Sequence, residues 1–182
     1  MKKLILSFAA LLSTATALRA QQNYYANQNT VVGTNVVYKV EDIGSIYQIS
    51  NVLNTRDTTG MTLLDGTPAP KLYGHIDIIR IGDHNVIRKV ILQEVFTAPE
   101  IAALKNSNVV FTLHCIIEPN GHISEILFRF PKKPAAYSIH PDKWYELEQK
   151  VKQQIAYTMS PKAQTCTFVE NMLLWPFKYI FQ

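Results

Sequence analysis

The sequence predicts an α+β domain, an antiparallel sheet with two helices packed on one face. Three observations carry this. Segments rich in Val, Ile, Tyr and Phe recur between clusters of turn formers, two segments carry helix-start signals followed by apolar residues at helical spacing, and no repeat with a period of about 20–50 residues is visible. The chain has 182 residues, 47% of them hydrophobic and 18% charged, enough to bury a core. Its 7 glycines and 9 prolines exclude collagen-like or Gly/Pro-rich low-complexity architecture.

Residues 1–20 have the three-part form of a secretory signal: Lys2 and Lys3, an apolar stretch from Leu4 to Leu18, then small residues. That stretch is shorter than the roughly 20 residues that span a bilayer. Cleavage is expected after Ala20, with Ala17 as the competing site, and no cysteine follows either for a lipid anchor. The expected organisation is a signal at 1–20, a flexible Asn- and Gln-rich arm at 21–30, and one domain at 31–182. The protein is expected to be exported, to the periplasm or to the cell exterior or outer membrane, with no integral span after signal removal. Without Lys2, Lys3 and Arg19 the mature chain has 15 basic against 14 acidic residues, a net +1. Lys132-Lys133 is only a pair, and with no basic stripe no nucleic-acid partner is expected.

Val31–Val40 and Ile43–Val52 flank Glu41-Asp42 and read as a strand pair or one kinked strand. Asn54–Pro70 holds Thr58, Thr59, Gly60, Asp65-Gly66, Pro68 and Pro70, which makes it a surface loop. Leu72–Ile81 and Val86–Phe96, joined by Gly82-Asp83-His84-Asn85, read as a second hairpin. Val86, Val90 and Ile91 also share a helix face, and the β-branched content favours strand. Thr97-Ala98-Pro99-Glu100 is a capping box with proline in the first turn, so a short helix spans Ala98–Lys105 and Asn106-Ser107-Asn108 stops it. Val109, Phe111, Leu113, Cys115 and Ile117 fall on one face of a half-buried strand. Pro119-Asn120-Gly121 turns it into the partner strand Ile123–Phe130. After Pro131–Pro134, a helix starts near Pro141 and buries Trp144, Leu147, Val151 and Ile155 at helical spacing. Ser160-Pro161 ends it, and Thr165–Phe181 is a last strand in which Pro176 predicts an edge or a bulge.

The search for chemistry finds no catalytic constellation. There is no Ser elbow, no Ser-x-x-Lys on a helix and no P-loop. His75, His84, His114, His122 and His140 show no metal-site spacing; His114 and His122 approach across a hairpin near Glu125, which is thin support for zinc. No cofactor, metal or catalytic residue is assigned. Asp57, Asp65, Asp77 and Asp83 lie in or near loops, and a secreted enzyme with Asn54–Pro70 as a lid and His75 in its cleft is the rival reading. A second rival is a structural or surface-assembly subunit that exchanges strands through Gln21–Thr30.

From Val109 to Gln182 the order strand, turn, strand, helix, strand resembles the TonB C-terminal domain. The residues that carry it are Val109-Val110-Phe111-Thr112-Leu113, Gly121-His122-Ile123-Ser124-Glu125-Ile126-Leu127-Phe128, the helix Trp144–Ile155, and the ending Leu174-Trp175-Pro176-Phe177-Lys178-Tyr179. With the preceding helix the unit runs over 97–182. Residues 1–20 hold no His and no Pro-rich spacer follows, so the resemblance implies the terminal fold rather than energy transduction. It implies a Gram-negative envelope protein whose sheet has an edge strand available for pairing. A right-handed crossover agrees, placing the last strand antiparallel beside Val109–Ile117. That brings Cys166 near Cys115, and a Cys115–Cys166 disulfide is expected in an exported chain, the alternative being Cys115 as a small core residue. Trp175, Phe177, Tyr179 and Phe181 sit at period two and read either as core or as part of that edge. The expected function is a non-enzymatic protein-interaction module that binds an envelope protein or peptide at Leu174, Pro176, Lys178 and Tyr179.

Overall fold

The computed structural model describes residues 22–56 and 60–182; the expected signal sequence at 1–20 and Asp57 lie outside the described residues. In chain order the elements are β1 (Thr30–Val32), β2 (Val37–Ile43), β3 (Ile46–Asn51), β4 (Ile78–Arg80), α1 (His84–Val95), α2 (Ala98–Asn106), β5 (Val110–Ile117) and β6 (Ile123–Pro131). They continue with α3 (Pro134–Tyr137), α4 (Pro141–Gln154), β7 (Tyr157–Met159), α5 (Pro161–Gln164), β8 (Val169–Pro176) and α6 (Phe177–Ile180). Six strands form one antiparallel sheet in the order β1-β2-β3-β6-β5-β8, and β4 pairs with β7 separately. The crossover from β6 through α4 sets β8 beside β5 and antiparallel to it, Ile117 opposite Val169, as the handedness rule requires.

One face of the sheet carries the helices. Trp144 of α4 packs on Phe111, Phe128 and Phe130, with ring centroids 4.6, 5.0 and 4.7 Å away. Aromatic pairs at these spacings add to the burial of the rings themselves. Ile91, Leu92 and Val95 of α1 and Leu104 of α2 complete that layer. The α2 capping box is present, the Thr97 amide donating to Glu100 Oε2 at 2.8 Å. Residues 22–29, read from the sequence as an arm, are tied down at Tyr25, which is buried against Tyr47 and Phe130 and donates its hydroxyl to Ile139 O at 2.6 Å.

Four sequence expectations are corrected. The segment 86–95 is helix α1, not a strand. Asp83 caps it by accepting from the Asn85 and Val86 amides, and burial of Ile91, Leu92 and Val95 outweighs a weak β preference. The expected hairpin is therefore absent, and Ile78–Arg80 pairs with β7 instead. The last strand stops at Pro176, and Phe177–Ile180 turns into the one-turn α6, which places Phe177 4.9 Å from Phe111. Cys115 and Cys166 are free, buried thiols rather than a disulfide. Cys115 faces the helix layer opposite Asn171, whereas Cys166 lies in the turn after α5, bridged to Leu63 of the long loop.

Candidate functional site

Among the described residues the second face of the sheet carries no helix, and strand register orders its side chains into rows. One row runs Glu41, Gln48, Arg129, Thr112 and Leu174; the next runs Lys39, Ser50, Leu127, His114 and Met172; a third holds Glu125, Ile116 and Glu170. All of these except Thr112, Met172 and Leu174 line a shallow hollow of about 810 Å3. Its charged half is internally satisfied. Lys39 pairs with Glu41 at 2.8 Å, Gln48 donates to Glu41 Oε2 at 2.7 Å, and Arg129 Nε donates to Gln48 Oε1 at 2.7 Å. Glu125 accepts from the amides of Thr55 and Arg56 at 2.8 and 3.2 Å, closing one end. His114 has its Nε2 buried with no partner among the described residues, and burial, then the nearby Arg129 charge, hold its pKa below the ordinary value. Ile116 and Leu127 supply apolar lining and Glu170 carries the hollow to β8, with Met172 and Leu174 on the same face beyond it.

β8 is an edge strand. Phe177 N–H donates to Val109 O at 3.1 Å, which makes Phe111/Trp175, Leu113/Leu173 and Cys115/Asn171 the closely bonded pairs. The amides and carbonyls of Glu170, Met172 and Leu174 then face away from β5. Side chains alternate as they must: Leu173 and Trp175 are buried under the helices, while Met172 and Leu174 are 49% and 56% exposed on the open face. Of the predicted edge residues, Leu174 lies on this edge and Pro176 ends it. Lys178 and Tyr179 do not; they lie on the outer side of α6, Tyr179 64% exposed. Sequence reasoning missed Met172 and Glu170, which the period-two alternation through Leu174 could have supplied.

The remaining candidates are dispersed. Asp77 is buried and accepts from Ser160 Oγ at 2.7 Å and the Tyr73 amide at 2.8 Å; the Ser160 bond, then the Tyr73 bond, lower its pKa. Asp65 accepts from Thr67 within its own turn, and His75 lies beside Tyr73. Asp83 is the α1 cap, so the loop carboxylates hold structure where they stand. His114 pairs across to Leu127 rather than to His122, and among the described residues no three His, Cys, Asp or Glu side chains are placed to share a metal. Burial pushes the Cys115 thiol up to about 12, which suits a core residue and not a nucleophile. One buried charge was not anticipated. Glu148 of α4 is fully buried, accepting from Tyr38 Oη at 2.9 Å and from Lys152 Nζ at 2.6 Å.

No known family and no curated protein matches the sequence. In fold the chain is similar to a DUF5043 family protein from Bacteroides uniformis, with a TM-score of 0.70 over 85% of this chain and 88% of that one, at 16% sequence identity. At that identity the likeness concerns the fold alone. The expected resemblance to the TonB C-terminal domain is one of sequence pattern alone; between β6 and β8 the chain carries α3, β7 and α5 as well as α4.

Proposed function

We propose that the protein is an exported, non-enzymatic interaction module of the cell envelope that holds an envelope protein or peptide in extended form along β8. The observation that supports this reading most is the edge itself, an eight-residue strand bonded on one side only among the described residues, with exposed Met172 and Leu174 beside it. In β-augmentation, backbone bonds supply affinity and alternate side chains supply choice. Pro176 lacks an amide donor, so an added strand pairs along Glu170 to Leu174 and the proline limits uncontrolled stacking. The N-terminal signal pattern supports export, and the resemblance to the TonB C-terminal domain agrees with pairing at a terminal strand. The test places a photo-crosslinking residue at Met172 and, separately, at exposed Gln153 of α4 in the native host. The expected result is one envelope protein trapped at Met172, not at Gln153, and lost when Leu174→Pro removes an outward amide. Equal capture at both positions, or none at Met172, refutes the reading.

A further inference from the structure

On its helix side the β8 edge borders a small hollow of about 30 Å3 whose lining includes Arg80, His84, Arg88, Leu173, Leu174 and Trp175. Arg80 ends β4, and His84 and Arg88 lie one turn apart on α1. Nε2 of His84 and Nε of Arg88 are buried, and neither has a hydrogen-bond partner among the described residues. The His84 ring is held edge-on to Tyr157, centroids 5.7 Å apart. Burial and the charge of Arg80 both lower the pKa values of His84 and Arg88; the carboxylate that acts on them, Asp83, is already engaged as the α1 cap. Among the described residues three basic groups thus converge without an ion pair of their own, and two buried nitrogens are left unmet, an arrangement that is unfavourable until a negative partner enters.

We propose that Arg80, His84 and Arg88 form a carboxylate-binding site that reads an Asp or Glu side chain on a peptide strand added to β8. This rests on the edge-pairing function above. A second copy of this chain does not supply the carboxylate through its edge strands. In an antiparallel β8–β8 pair the side chains on the helix side are Val169, Asn171, Leu173 and Trp175, while Glu170 stays on the open face, and β1 is Thr30-Val31-Val32. The occupant is an acidic segment of another protein. Charge-assisted hydrogen bonds from a planar guanidinium and an imidazolium suit a carboxylate, and its entry raises the charge-bearing fraction of His84.

The probe is a phage-displayed library of short random peptides selected on the mature protein. Selected peptides are expected to alternate apolar residues and to carry Asp or Glu at one fixed position. Changing that residue to Asn or Gln should weaken binding about ten-fold or more, the loss expected for a charged hydrogen-bonded pair. On an Arg80→Gln/Arg88→Gln variant the same change should cost less than about two-fold. Arg80→Gln alone, at an exposed position, serves if the double variant does not fold, and should give a partial loss of discrimination. Peptides that depend on Leu174 but are indifferent to their own carboxylate overturn the carboxylate site and leave edge pairing standing. Failure to select any peptide, or selection of peptides unaffected by Leu174→Pro, overturns edge pairing and this site with it.

Discussion

Gly121 stands where the β5–β6 turn comes closest to β7. Its φ is 84°, a conformation that other residues reach at a cost of about 1–2 kcal/mol. A methyl group added there would lie 1.9 Å from the carbonyl oxygen of Tyr157 and 3.0 Å from its carbonyl carbon, both backbone atoms that cannot swing aside. Relief requires the turn and β7 to separate. That breaks the bond from Tyr157 N–H to Gly121 O, 3.0 Å long, and loosens the His122–Ala156 bridge, at about 1 kcal/mol net for each. Gly121→Ala is therefore expected to cost roughly 3–4 kcal/mol, lowering Tm by about 10 °C for a domain of this size. Gly44→Ala is the control: its φ is 60°, but nothing lies within 4 Å of the added methyl, so only the conformational cost of about 1–2 kcal/mol applies. Urea unfolding followed by the fluorescence of buried Trp144 and Trp175 gives both values. Equal losses in the two variants would refute the close approach of turn and strand.

Three further outcomes are expected. Tyr38→Phe leaves one bond to the buried Glu148 carboxylate unmade and should cost about 1.5–3 kcal/mol, while Lys152→Met should cost about 3–5 kcal/mol; urea titration measures both, and a Lys152→Met variant as stable as the parent would refute the Lys152 pairing as what holds Glu148 in the core. His84 and His114 both have folded pKa values below the ordinary 6.5, burial being the first cause, so the unfolded chain takes up their protons first as pH falls. Their contribution is complete above about pH 6.5 and is lost progressively below it; a His84→Gln/His114→Gln variant should flatten that decline in stability, and an unchanged slope counts against the argument. Reductant should leave Tm unchanged, and a thiol reagent at neutral pH should label Cys115 only after unfolding; a lower Tm on reduction would establish a bridge between Cys115 and Cys166.

The elements legible in the sequence are those whose cause lies within a few residues. The Thr97–Glu100 box, the positive-φ turn at Gly121 and the helical spacing of Trp144, Leu147 and Val151 each involve hydrogen bonds or sterics inside one turn; the α+β class follows from such elements, the place of β8 beside β5 from the handedness rule, and its edge position from Pro176. What tertiary structure decided needed distant partners. Residues 86–95 fit either periodicity until Ile91, Leu92 and Val95 found the core. Period two continued past Pro176 on paper, but Phe177 gained more by meeting Phe111, and Lys178 and Tyr179 left the edge with it. Glu148 falls on the apolar stripe of α4, four residues after Trp144 and three before Val151, and its burial is met by Tyr38, 110 residues away, which donates to it. Likewise Arg80, His84 and Arg88 look like scattered surface charges, and only the packing of α1 beside a strand formed some 80 residues later gathers them against its free edge. Local bonding is written in neighbouring residues, whereas burial depends on what the rest of the chain brings alongside.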